Sequence, residues 1–206
     1  MNILLCIILG FIIASTGSIS PCFLNLTVVK ISLKSGKKAA LFLIGGFATV
    51  LFFQANIGAY LASILMKNST YITLIQQIGT VILFLLSANF LRLHFNQNKN
   101  TNKIEIKKSK AYLHGLGMSL LNTFAIPFYF TTISFLIGLN YFDYSLYNAF
   151  YFSIGSTLGS FTTYSVYAIV ANKIEHKLTN VAQKMDLILA VLTGGVAIVN
   201  LILLLK

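Results

Sequence analysis

Six apolar stretches fill almost the whole chain, at roughly 3–29, 39–66, 71–93, 111–139, 144–171 and 185–205. Each reaches the roughly 20 residues that a helix needs to cross the hydrocarbon core of a bilayer. In lipid every backbone N–H and C=O must be satisfied within the protein, so stretches of this length become helices. Of the 206 residues 57% are hydrophobic and only 9% charged, which leaves no segment for a soluble domain. The expectation is an all-α membrane protein of six transmembrane helices forming one transporter-sized domain. The first stretch lacks the positive n-region and small-residue cleavage pattern of a signal peptide, so it is expected to stay as a helix of the mature chain.

The net charge of +11 could suggest nucleic acid, but its placement argues for a different role. Lys30, Lys34, Lys37 and Lys38 fall between stretches one and two. Arg92, Lys99, Lys103, Lys107, Lys108 and Lys110 surround the gap between three and four, and Lys173, Lys177 and Lys184 lie between five and six. The other two connections hold Lys67 and Asp143. Thirteen basic residues against one, in alternation, is an orientation signal. The positive-inside rule puts the first, third and fifth connections in the cytoplasm and both termini outside. The expected location is a cytoplasmic membrane, with anionic lipid headgroups as the neighbours of the lysines. No nucleic-acid partner is expected.

The polar run HFNQNKNTNKIEIKKSK at 94–110 divides the chain near its middle. Repeat one is read over about 1–94, the cytoplasmic linker over 95–110 and repeat two over about 111–206. Three spans is an odd number, so two related halves would face opposite ways, as in inverted-repeat transporters. The two prolines of the chain, Pro21 and Pro127, both lie inside the first apolar stretch of a half. Proline removes a donor and disturbs the preceding turn, so the first helix of each half is expected to be broken there. Gly45 follows Pro21 by 24 residues and Gly155 follows Pro127 by 28. The second span of each half carries a stripe of small and polar residues at helical spacing. In one half it is Gly46, Val50, Gln54 and Gly58; in the other it is Gly155 and Gly159 beside Ser156, Ser160 and Tyr164. Such stripes allow close helix packing in lipid, and part of one could line a substrate path.

Ionisable residues are nearly absent from the spans, which excludes several chemistries. There is no paired-carboxylate site for acid–base catalysis, no His, Cys and acid cluster with metal-ligand spacing, and no P-loop. Neither an enzyme nor a cofactor is expected. What remains at membrane depth is neutral polarity. Asn25 and Asn122 stand out because each lies beside a proline break, where half-helix N–H groups offer positive potential to a carboxylate. The candidate substrate-binding residues are Pro21, Asn25, Gln54, Asn122, Thr123, Pro127 and Tyr164.

The order of these features resembles the LysE/RhtB family of bacterial amino-acid exporters. Pro21-Cys22-Phe23 stands where that family has Pro-Gly-Pro, and Lys34-Ser35-Gly36-Lys37-Lys38 is its basic turn. Gly45-Gly46 opens the second span, and Gly115 through Asn122-Thr123 stands where the family has Gly…Asn-Pro. Many relatives carry an acid in the second span; here Thr49 to Gln54 contains none. The resemblance implies a secondary transporter that exports amino acids or related small metabolites by alternating access. A coupling ion and a homo-oligomer are left open, as is a scaffold or assembly role without transport. Ser20-Pro21-Cys22 also resembles the SPC motif of CcdA/DsbD-type thiol–disulfide carriers, which use one cysteine in each half. The cysteines here, Cys6 and Cys22, share one half. They lie roughly 24 Å apart along a straight helix, against the 7 Å or so that a disulfide permits between Cα atoms.

Overall fold

A computed structural model describes residues 2–20, 22–67, 71–96, 108–122, 124–174 and most of 187–202. Among these, every regular element is an α-helix: α1 (Ile3–Ile19), α2 (Phe23–Ser35), α3 (Lys37–Lys67), α4 (Tyr71–Asn96), α5 (Lys108–Leu120), α6 (Ala125–Gly138) and α7 (Leu146–Ile169). A last helical stretch lies between 187 and 202. It meets α4 where the Ser87 hydroxyl donates to the Ala190 carbonyl at 2.8 Å.

Local chemistry sets the helix ends. The Asn2 side chain accepts from the Leu4 amide and opens α1. Ser145 does the same for the Asn148 amide and opens α7. Between α2 and α3 the chain turns at Gly36, whose φ of 87° strongly favours a residue without a Cβ. The Gly36 carbonyl then takes the Ala39 and Ala40 amides and starts α3. Between α6 and α7, Asn140 adopts φ 59°, a left-handed conformation that Asn tolerates better than most residues.

The first apolar stretch is two helices. α1 and α2 meet at 79° across residues 20–22. The fourth stretch is likewise two, with α5 and α6 bent by 60°. This second bend lies at residues 121–124, ahead of Pro127 rather than at it. Pro127 occupies the first turn of α6. An N–H there would have no partner within α6, so proline costs the helix little.

Three packing relations organise the bundle. α1 and α7 run parallel: Cys6 meets Asn148, Gly10 meets the backbone of Phe152 and Ser156, and Ser18 meets Ser160. α3 runs parallel to the α5–α6 pair in the same way, with Gly46 against α5, Gln54 against Asn122 and Gly58 against Tyr129. α3 and α7 run antiparallel, since Phe47 stacks on Tyr164 and Phe52 on Phe150. Their junction holds most of the core, with Leu51, Ala55, Tyr129, Ile133 and Phe152 in one cluster and Ile31, Leu43, Phe47 and Tyr164 in another.

Glycine sets the closest approaches. A Cβ on Gly10 would strike the Phe152 carbonyl, and one on Gly155 would strike that of Ile7. A Cβ on Gly46 would strike the Tyr112 carbonyl, and one on Gly115 that of Leu43. In both pairs each glycine faces the carbonyl three residues before its partner glycine. The α1–α7 and α3–α5 contacts therefore share one register.

The outer surface is apolar. Leu4, Ile12, Phe53, Ile57, Leu158 and Ile169 are all exposed. A surface of this kind is suited to lipid rather than water. By length and composition, one described helix can cross a membrane alone, Lys37–Ile64, and up to three spans result if each bent pair counts as one. Six were expected from the apolar stretches. α7 is long enough but does not pass on composition. Its 24 residues rise about 36 Å, but Ser153, Ser156 and Ser160 lower its hydropathy while being buried inside the bundle. The expected span at 185–205 is described only in part.

Candidate functional site

The polar residues picked out in the sequence gather at the two bends. Pro21 and Thr123 lie outside the described residues. The other five candidates fall into two groups on either side of the α3–α7 junction.

At the first bend, Asn25 sits in the first turn of α2 and is fully buried. Its Nδ2 donates to the Ser18 carbonyl at 2.8 Å. Its Oδ1 accepts from the Cys22 amide at 3.3 Å and from the Cys22 thiol at 2.9 Å. One side chain thus joins the end of α1 to the start of α2. The next exposed carbonyl of α1, that of Ile19, accepts the Tyr167 hydroxyl of α7 at 2.7 Å. Ser18 and Ser160 share a hydrogen bond at 3.0 Å. The buried Tyr164 hydroxyl is directed toward Ser18. Further along α7 the Tyr129 hydroxyl of α6 lies near Ser156 and Ser160, without a hydrogen bond to Ser156. A seam of hydroxyls on α7 therefore runs from the first bend toward α6.

At the second bend the connecting side chain comes from α3. Gln54 is 6% exposed. Its Nε2 donates to the Ser119 carbonyl at 3.1 Å and the Asn122 carbonyl at 3.3 Å. These belong to the C-terminal end of α5 and the turn after it, where helical carbonyls lack intrahelical partners. Gln54 Oε1 is buried with no hydrogen-bond partner among the described residues. Asn122 itself is half-buried, and Pro127 lies just beyond, half-buried in α6. Phe47 links the two groups: its ring packs on Tyr164 at 5.5 Å, and its carbonyl accepts from Ser119 Oγ at 3.4 Å.

The sequence reading brought out Asn25, Gln54, Asn122 and Tyr164 and missed Ser18, Ser119, Tyr129 and Tyr167. The missed residues are hydroxyls near the bends whose neighbours come from far along the chain. Their only sequence signal is their distance from a bend: Ser18 and Ser119 each precede one by two or three residues.

No metal-ligating group of three or more His, Cys, Asp or Glu is present among the described residues. No disulfide joins Cys6 and Cys22. Cys6 is buried in the α1–α7 contact, its thiol 3.6 Å from Asn148 Oδ1. The arrangement is a neutral polar seam between parallel helix pairs.

Most of the described basic residues gather at one end of the bundle, and Lys67 closes α3 at the other. Lys34 ends α2, Lys37 and Lys38 start α3, and Lys108 and Lys110 start the parallel helix α5. Lys173 follows α7, whose C-terminal end packs on α2 through the Ser32 bond to the Ala168 carbonyl. Asp143 lies at the other end, where its carbonyl accepts from the Asn148 side chain.

No curated protein and no solved structure shows significant similarity to this chain. The family model described as LysE type translocator matches residues 15–203, from the end of α1 through the last helical stretch. The match covers both bends, the linker between the halves and the helices that carry the polar seam, and the chain belongs to the LysE type translocator family.

Proposed function

We propose that this member of a translocator family is a membrane-embedded transport protein rather than an enzyme, and that it exports amino acids or related small metabolites across a bacterial cytoplasmic membrane by alternating access between two inverted three-span halves. The observation that carries this reading is the shared register of the two glycine contacts. Gly10 against Gly155 and Gly115 against Gly46 repeat one geometry. Exchanging the first span of each half with that of the other, and the second with the second, maps one contact onto the other. Each half lends its bent first span to the second span of its partner. A pseudo-two-fold axis between α3 and α7 accounts for both pairs, and rocking about such an axis is how inverted repeats open to either side.

The path runs between the halves, flanked by the first bend with Pro21, Asn25 and Tyr164, and by the second with Gln54, Asn122, Thr123 and Pro127. The lysine-rich end faces the cytoplasm, in keeping with the charge asymmetry, and both termini face outside. The test is efflux of a panel of radiolabelled amino acids from proteoliposomes holding the full chain. At least one substrate should leave faster than from empty vesicles. Rates equal to empty vesicles across the panel would instead favour a scaffold role.

A further inference from the structure

The two bends differ in how fully their polar groups are satisfied. At the first, Asn25 uses both ends of its amide, and the Ser18 and Ile19 carbonyls each receive a donor. At the second, the Gln54 amide donates through Nε2 and leaves Oε1 buried without a partner among the described residues. A buried unsatisfied oxygen is destabilising, so its persistence calls for an explanation.

Three oxygens belong to this bend: the carbonyls of Ser119 and Asn122, which face Gln54 Nε2 and also accept the Asn122 and Ala125 amides, and Gln54 Oε1 on the far side of the same amide. All are neutral, and two lie at or just beyond the C-terminal end of α5, where the helix dipole concentrates negative potential. Lys37, Lys38, Lys108 and Lys110 sit at the far ends of α3 and α5 from this bend, and Lys30 lies on α2. Half-helix C-terminal ends and unwound carbonyls are the groups that hold small cations in transporters with broken helices. An amide can rotate to present either its oxygen or its nitrogen.

We propose that the second bend is a binding site for a sodium-sized alkali cation. With no cation, Gln54 Nε2 occupies the two carbonyls, as observed. With a cation, the amide turns over and Oε1 joins the Ser119 and Asn122 carbonyls around it. The half-buried position of Asn122 leaves room for water to complete the shell. Because Gln54 belongs to α3 and the carbonyls to the α5–α6 bend, the cation would tie the second span of one half to the first span of the other. Its use as a coupling ion rests on the transport reading; its binding does not.

The test is the thermal unfolding midpoint of the purified full chain in detergent, titrated with sodium chloride, potassium chloride or choline chloride at constant ionic strength. Sodium should raise the midpoint saturably by a few degrees and choline should not. Gln54→Met, which keeps the length and removes the oxygen, should abolish the sodium-specific rise. Gln54→Glu should keep it and reach saturation at a lower sodium concentration. Equal midpoints in sodium and choline, or a rise that survives in Gln54→Met, would overturn the site. So would a rise produced by a primary ammonium compound but by no alkali cation, which would assign the oxygens to a substrate amine. Should Gln54→Met fail to fold, Gln54→Glu decides: an unchanged sodium dependence overturns the proposal. Efflux that proceeds without any cation response, beside an intact sodium-specific midpoint rise, would overturn the coupling role and leave both the site and the transport reading in place.

Discussion

Asn25 and Pro127 show how a residue's position within a bend fixes its role. Asn25 holds three bonds across the first bend. Asn25→Leu would leave the Ser18 carbonyl and the Cys22 amide without this donor and acceptor inside the bundle. A loss of stability of about 1–3 kcal/mol is expected, read from the unfolding midpoint in detergent; an unchanged midpoint would contradict the bridging role. Pro127 is the reverse case. The bend precedes it, so Pro127→Ala should leave the bend in place. Replacing a well-placed proline by alanine releases unfolded-state entropy, an effect of about 0.4–1 kcal/mol. Efflux normalised to protein level should stay near wild type, and a severe loss would show that Pro127 itself maintains the break. Thus a proline in an apolar stretch announces a nearby irregularity without locating it. Here the bend falls beside Asn122, at the end of α5, where Gln54 adds a side-chain donor to two carbonyls that also accept the Asn122 and Ala125 amides.

Helix pairing rests on glycines that admit a neighbouring backbone. Gly155→Ala and Gly46→Ala each push a methyl group into a carbonyl of the adjacent helix. Overpacking of this kind costs about 1–3 kcal/mol. Gly79→Ala and Gly117→Ala meet nothing within 4 Å and serve as controls. They should be neutral or stabilising by up to about 1 kcal/mol, since alanine is the better helix former. Similar midpoints for all four variants would refute the packing account. The stripes that carry these glycines were legible in the sequence because small residues recur every four positions. Their partners were not. Nothing local says that α1 pairs with α7 rather than with α3, since that choice depends on matching surfaces far apart in the chain. The bent first spans were legible in outline, from an interrupted apolar run with a polar amide beside it. The low hydropathy of α7 misleads in the other direction. Its hydroxyls are buried against α1 and α6, and only the lipid-facing residues, such as Leu158 and Ile169, report the solvent it sits in.

For the molecule as a whole, helix direction decides where most of the charges lie. Lysines spaced far apart in sequence converge on one end because α3 and α5 both start there and α2 and α7 both finish there. The parallel α1–α7 and α3–α5 pairs run in opposite directions, as two halves of inverted orientation require. That inversion is the central claim, and a topology map tests it most directly. A dual reporter fused after Lys103 should read cytoplasmic, and one fused after Lys67 or Asp143 should read external. Lys103 reading external, or Lys103 and Asp143 reading on the same side, would contradict both the orientation and the pairing of the halves.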